Sequence, residues 1–159
     1  MKSLALALLF IAPAAWAQTA TTTVVRSPAD EVRRTVEKLF DGMRAGDSTA
    51  VRATLHPEAR FQSVVPGEGG GVRLVDGSAD RFVEAVGTPH DAVWDEQIGD
   101  VEVRLDAGLA MAWMTYRFYL GERFSHCGVN SMQLVIDTAA PDRTWRIVNL
   151  IDTRRTDCD

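Results

Sequence analysis

The sequence predicts an α+β protein of one domain, in which helices precede most of the strands. Segments in the first half carry apolar residues at helical spacing, and the second half carries long runs rich in β-branched and aromatic residues. The 159 residues contain no internal repeat and no linker of distinct composition. This order of elements is typical of helices packed on one face of an antiparallel sheet.

The first residues have the features of a secretory signal. Lys2 precedes an apolar run over residues 4–15, and Ala15-Trp16-Ala17 is a cleavage motif of small residues around a variable one. We therefore predict a signal peptide at 1–17, a disordered leader at 18–27 and the domain at 28–159, in the periplasm or secreted. The alternative is an uncleaved N-terminal anchor, although the run is too short for a typical span; no membrane span is expected after signal removal.

Composition and motif spacing exclude several classes of function. The net charge is −5 with no cluster of basic residues, so nucleic-acid binding is not expected. The three histidines lack the spacing of a zinc site, so no metal is expected, and no cofactor motif is present. The glycines at 67–71 are not followed by the Lys-Ser/Thr of a phosphate-binding loop, and they indicate a hairpin tip instead.

Three helices are predicted from their caps and their apolar periodicity. The first begins after Ser27 and ends at Gly46, and the second is capped by Asp47 and ends at His56-Pro57. The third runs from Ser78 to Gly87. Strands are predicted at 60–65, 72–75, 93–105 with a bend near Gly99, on both sides of a turn at Gly121-Glu122, and at 145–153.

The hairpin around Gly121-Glu122 is the central element of this prediction. A two-residue turn with glycine first places Leu120 opposite Arg123. If that register continues, Arg117 lies opposite His126 and Trp113 lies opposite Asn130, all on the core face of the sheet. The face would be apolar at one end and polar at the other, as in a cavity with a hydrated mouth. The two cysteines, Cys127 and Cys158, are predicted to form a disulfide, with two free thiols as the alternative.

The segments 56–61, His-Pro-Glu-Ala-Arg-Phe, and 145–155, Trp-Arg-Ile-Val-Asn-Leu-Ile-Asp-Thr-Arg-Arg, give this chain a family resemblance. Together with the order of elements, they resemble the nuclear transport factor 2-like (NTF2-like or SnoaL-like) superfamily, especially its small bacterial lumazine-binding-like branch. The resemblance implies a cystatin-like cone, in which a strongly curved antiparallel sheet wraps around one long N-terminal helix with two shorter helices. It also implies a pocket at the open end and, often, dimers through the convex sheet face.

The resemblance leaves the function open, because the superfamily includes isomerases, cyclases, dehydratases and non-catalytic binders. We predict a secreted domain that binds a small organic ligand; whether it is an enzyme of the isomerase, cyclase or dehydratase type, with a pocket histidine or acid as general base, stays open. The predicted pocket residues are Phe40, Met43, His56, Trp113, Arg117, His126 and Asn130. His56 is a weak candidate for a general base, because the pKa of a histidine lies near neutrality.

A homodimer is predicted through the convex face. In the hairpin register above, that face carries apolar and small side chains that no helix covers: Ala110, Ala112, Met114, Tyr116, Val129, Ser131 and Val135. Exposed apolar surfaces of several hundred Å² are uncommon on soluble monomers. A second copy of the chain is the expected partner.

Overall fold

The computed structural model describes residues 26–139 and 143–158, and the predicted signal peptide and most of the leader lie outside them. In the described ranges the chain forms three α-helices, one 3-10 turn at Glu68–Gly70 and seven strands. The helices are α1 Pro28–Ala45, α2 Ser48–Thr54 and α3 Ala79–Gly87; the strands are β1 Leu55–Pro66, β2 Val72–Ser78, β3 Trp94–Ile98, β4 Glu102–Asp106, β5 Leu109–Leu120, β6 Arg123–Ile136 and β7 Trp145–Thr153. None of the described helices is long and apolar enough to cross a membrane.

Side-chain caps fix the helix ends where the sequence predicted them. The Ser27 hydroxyl accepts from the backbone N–H of Asp30, and Gly46 ends α1 in the left-handed region at φ 67°. Asp47 and Ser78 cap α2 and α3 in the same way as Ser27 caps α1. The long helix α1 is thereby held at both ends, with its apolar stripe turned to the sheet.

The strands form one curled, unclosed sheet, which confirms the predicted α+β class. Its order is β2-β1-β7-β6-β5-β3, and β4 pairs with β5 beside β3. One pair departs from the predicted antiparallel sheet, because β1 and β7 run parallel. We call the sheet face that packs on the helices the inner face, and the opposite one the outer face. The buried core lies between α1 and the inner face, with Leu39, Met114, Met132, Leu134 and Ile147 at its centre.

Two segments differ from the sequence-based prediction. His56 and Pro57 lie inside β1, where a register irregularity between Leu55 and Arg60 accommodates the proline, and not at the end of a helix. The single strand predicted over 93–105 is two strands, β3 and β4, which pair with successive parts of β5. The chain leaves β3 at Gly99, where a Cβ would lie 2.5 Å from the hydroxyl oxygen of Thr115.

The hairpin register is wrong by one residue over most of its length. Leu120 does pair with Arg123, but a β-bulge follows at Ser125, and beyond it Phe118 pairs with His126 and Arg117 with Cys127. A bulge inserts one residue into one strand only, so every later side chain of β5 changes face relative to β6. His126 and Asn130 therefore lie on the inner face, as predicted. Trp113 and Arg117 lie on the outer face.

The same shift corrects the predicted dimer surface. Ala110, Ala112, Met114 and Tyr116 are buried on the inner face, each at most 3% exposed. The outer face of β5 instead carries Met111, Trp113, Thr115 and Arg117, and β6 adds Val129, Ser131 and Val135 as predicted. Trp113 is 47% exposed there and Leu109 is 51% exposed.

Candidate active site

Two adjoining concavities lie between the inner face and the helices and share part of their lining, so we describe them as two lobes of one cavity. The larger lobe measures about 490 Å³ and the smaller about 240 Å³. Five residues line both lobes: Met43, Phe82, Glu96, Asp152 and Arg154. A groove of about 470 Å³ elsewhere, between α1, α2 and the start of β7, is of similar size, but the ionisable side chains that line it, Lys38, Asp41 and Asp47, are all exposed. The cavity on the inner face is the stronger candidate because its carboxyl groups are buried.

Glu96 is a carboxyl group of the cavity whose pKa is strongly raised. It lies on β3 opposite Phe118, and its Oε1 accepts a hydrogen bond of 2.7 Å from Nδ2 of Asn130. Burial raises the pKa of Glu96 from its ordinary value of 4.5 to about 7; the Asn130 hydrogen bond opposes that rise, and the nearby Asp152 adds to it. The carboxyl group therefore exchanges its proton near neutral pH.

Asp152 lies beside this pair, because β7 places it opposite Asn130 of β6. Its Oδ2 accepts hydrogen bonds from the Tyr116 hydroxyl at 3.1 Å and from Nε of Arg154 at 2.8 Å. Its Oδ1 is buried and has no hydrogen-bond partner among the described residues. A buried carboxyl oxygen without a donor is costly, and such atoms are uncommon in folded proteins.

Tyr116 reaches Asp152 because its neighbour across the hairpin is Gly128. A side chain at Gly128 would collide with the carbonyl oxygen of Thr153, so β6 and β7 approach closely at this point. The Tyr116 hydroxyl also lies 2.9 Å from that carbonyl oxygen. Burial raises the pKa of Tyr116, and the neighbouring Asp152 raises it further, so the phenol stays protonated as a hydrogen-bond donor.

His126 lines the larger lobe beside Phe118 and Tyr116. The Ser125 hydroxyl lies 3.0 Å from its Nδ1, so the residue of the bulge itself orients the ring. Burial lowers the pKa of His126; Arg154 lowers it further, and Asp152 opposes. A neutral imidazole is thus favoured near neutral pH.

Of the predicted pocket residues, Phe40, Met43, His126 and Asn130 line the cavity. His56 does not; it is half-buried in β1, and its Nδ1 accepts from the backbone N–H of Glu58. Trp113 and Arg117 are on the outer face, where Arg117 donates to the carbonyl oxygen of Cys158. The described residues contain no group of three or more His, Cys, Asp or Glu side chains arranged to hold a metal.

The sequence pattern did not predict that Glu96, Tyr116, Asp152 and Arg154 belong to the site. Strand irregularities explain this for Tyr116 and Asp152: the bulge at Ser125 decides which face Tyr116 occupies, and a second one within β6–β7, near Gln133 and Leu134, shifts the alternation of β7. The available signal was the presence of a single acid, Asp152, in the apolar strand 145–153.

Comparisons with known proteins agree with this architecture. No family model matches the chain, and no curated protein sequence matches it. Among solved structures, an NTF2-like protein from Cytophaga hutchinsonii aligns with a TM-score of 0.62 at 13% identity, over 82% of this chain and 100% of that one. An NTF2-like protein with a cystatin-like fold from Novosphingobium aromaticivorans aligns at 0.61 and 12% identity, over 81% and 82%. This chain has the NTF2-like fold.

A third NTF2-like neighbour has a proposed activity. It comes from Streptomyces avermitilis, is described as a proposed dehydratase, and aligns with a TM-score of 0.59 at 13% identity, over 80% of this chain and 95% of that one. Likeness at this identity establishes the fold alone, so function has to be argued from the cavity.

Proposed function

We propose that the cavity binds a small organic ligand and that Glu96 transfers a proton to or from it, as in an isomerase, cyclase or dehydratase. The observation that carries this proposal is the placement of two carboxyl groups, Glu96 and Asp152, in one cavity with the histidine His126, where Asp152 also accepts a hydrogen bond from the Tyr116 hydroxyl. A cavity that only binds an apolar ligand does not need buried acids, which destabilise the fold.

The lining of the cavity indicates the chemistry of the ligand. Phe61, Phe82, Phe118 and Trp94 supply aromatic walls for a largely apolar molecule. Two carboxyl groups disfavour an anionic ligand. A hydroxyl or N–H group on the ligand would supply the donor that the Oδ1 of Asp152 lacks.

This ligand class can be tested with 2-naphthol and its methyl ether, 2-methoxynaphthalene. We expect the naphthol to bind at least about tenfold more tightly, because a hydrogen bond to a charged group contributes about 1.5–3 kcal/mol, and about 1.4 kcal/mol corresponds to a factor of ten. In Asp152→Asn the amide oxygen should take the Oδ2 position to accept from Tyr116 and Arg154, which leaves an N–H donor at the Oδ1 position. The preference for the naphthol should then vanish or reverse; equal preference in both proteins would contradict the assignment.

The proton-transfer role can be tested without the natural substrate. We expect the wild-type protein to accelerate deuterium exchange of the α-protons of 2-tetralone in D2O, with a rate that rises as Glu96 loses its proton near pH 7. Glu96→Gln should lower the enzyme-dependent rate by about 100-fold or more, the contribution typical of a general base. Asp95→Asn is the matched control, since Asp95 precedes Glu96 but pairs with Arg44 and Gln97.

Equal exchange rates for the wild type and Glu96→Gln would remove Glu96 from the mechanism. If neither protein exceeds buffer and both still bind the naphthol, the cavity is a binding site without this chemistry.

We also propose that the protein is exported and forms a homodimer through the outer face. The disulfide between Cys127 and Cys158 supports export, because disulfides persist in oxidising compartments. Mass spectrometry of protein from its own host should find a chain that starts at Gln18. The half-exposed Trp113 and Leu109, together with the small Ser131 opposite Trp113, support a close contact between two sheets.

A further inference from the structure

The chain after β7 folds back onto the hairpin and is fixed there at several points. Cys158 forms the disulfide with Cys127 of β6, with a Cα–Cα distance of 6.1 Å. Three residues before Cys158, Arg155 exchanges two backbone hydrogen bonds with Cys127, of 2.9 and 3.0 Å. Arg117 adds a side-chain hydrogen bond to the carbonyl oxygen of Cys158. We call residues 154–158 the C-terminal hook.

Arg154 is the residue of the hook that faces the cavity. Its backbone N–H donates to the carbonyl oxygen of Val64 at 3.0 Å, and its Nε donates to Oδ2 of Asp152 at 2.8 Å. It lines both lobes, while its side chain stays 52% exposed against 7% for Asp152. The guanidinium therefore lies at the boundary between the cavity and solvent, two residues after the buried Asp152 of β7.

An exposed arginine gains little from one ion pair and loses side-chain entropy by staying in one place. Here the backbone on both sides of Arg154 is fixed: β7 precedes it, and the bridge between Arg155 and Cys127 follows it. The disulfide then fixes the end of the hook, because it joins Cys158 to Cys127, 31 residues earlier in the chain. We infer that the Cys127–Cys158 disulfide positions Arg154 over the carboxyl groups of the cavity, so that the hook is part of the site and not only a terminal staple.

The charge of Arg154 has a measurable consequence at His126. The groups that face this imidazole are Arg154 from the hook, Asp152 from β7, Glu96 from β3, and Tyr116 from β5, with Ser125 beside it. Arg154 lowers the pKa of His126 and of Glu96. The inference rests on the proposed function only for its effect on catalysis, because the titration of His126 requires no ligand and no turnover.

The test is an NMR titration of His126 in four forms of the full chain: oxidised and reduced wild type, and oxidised and reduced Arg154→Gln. Oxidised Arg154→Gln should titrate at higher pH than the oxidised wild type. Reduction should shift the wild type in the same direction and should have little further effect on Arg154→Gln, because both changes remove the same charge. Arg154→Lys, which keeps the charge, should restore much of the wild-type midpoint.

Arg155→Gln is the matched control, since Arg155 makes the bridge with its backbone and its side chain donates to the carbonyl oxygen of Asp157. Its midpoint should equal that of the wild type. An unchanged midpoint on reduction of the wild type, or an equal shift on reduction of both proteins, would overturn the inference.

Reduction could also unfold the protein, so a second variant keeps the disulfide. Inserting Gly-Gly after Thr156 lengthens the hook without removing either cysteine. If the hook positions Arg154, the midpoint of His126 should rise while the disulfide and the fold are retained. If the disulfide only stabilises the fold, the midpoint should not move. The α-proton exchange of 2-tetralone can fail in every form without affecting these outcomes, so loss of the proposed function and loss of this inference are distinguishable.

Discussion

The two faces of the β5–β6 hairpin are built from alternate residues of the same strands and differ in what they bury. The inner face buries Tyr116, Asn130 and the methionines Met114 and Met132 beneath α1. The outer face leaves Trp113 about half exposed. On the inner face, Tyr116 and Asn130 each form a hydrogen bond with a carboxyl group on another strand. On the outer face, apolar side chains remain exposed to solvent.

This difference separates two roles within one sheet. Buried acids such as Glu96 destabilise the fold, and their proton equilibria are shifted toward neutrality by burial. Exposed aromatic side chains such as Trp113 contribute little to the isolated fold, but can bury large area against a partner. Changes on the inner face should therefore affect stability and proton transfer, and changes on the outer face should affect assembly.

Two adjacent residues give the largest expected contrast. Ala112→Glu would bury an unpaired charge in the core and should destabilise the protein by about 4–5 kcal/mol. Trp113→Glu should change the free energy of unfolding of the monomer by less than about 1 kcal/mol and should convert a homodimer to monomer. Urea unfolding and sedimentation velocity measure the two effects. A stable Ala112→Glu protein would show that the register beyond Ser125 is wrong, and a monomeric wild type at micromolar concentration would remove the proposed dimer.

Stability should also depend on pH through Glu96. Its pKa is about 7 in the fold against an ordinary value of 4.5, so the folded state holds the proton more tightly than the unfolded chain. The resulting stabilisation is complete below pH of about 4.5 and is lost as pH rises through 7, a difference on the order of 3 kcal/mol. Glu96→Gln should lack this pH dependence, whereas Asp95→Asn should retain it. Parallel stability–pH curves for the wild type and Glu96→Gln would contradict the assigned burial.

The sequence predicted what short-range chemistry determines. Ser27 and Gly46 delimit α1, Gly121 marks the turn, and β7 begins and ends as predicted, because caps, glycines with positive φ and apolar runs act over a few residues. The register of a long hairpin is set over its whole length, and one extra residue at Ser125 changes every later pairing. No local sequence pattern predicts that bulge.

For the same reason, the sequence predicted the positions of only some residues that line the candidate site. His126 and Asn130 were placed correctly because they follow the bulge on its own strand, while Tyr116 was assigned to the opposite face. Glu96 lies on β3 and Asp152 lies on β7. These two strands are far apart in sequence, and neither is close in sequence to the turn. Their meeting depends on the sheet order, in which β5 and β6 lie between β3 and β7, and this order follows from tertiary packing and not from any one segment.

The smallest expected effect compares two tyrosines of β5. Tyr116→Phe removes the hydroxyl that donates toward Asp152 and the carbonyl oxygen of Thr153, while Arg154 still holds Oδ2 of Asp152. The loss should be about 1–2 kcal/mol in urea unfolding, because one hydrogen bond to a buried charged group disappears and the other remains. Tyr119→Phe on the outer face, where the ring packs edge-on against Phe124, should change stability by less than about 0.5 kcal/mol. Equal losses in the two variants would mean that the Tyr116 hydroxyl stabilises the fold no more than an outer-face hydroxyl does. The inner network would then depend on Arg154 and Asn130 alone.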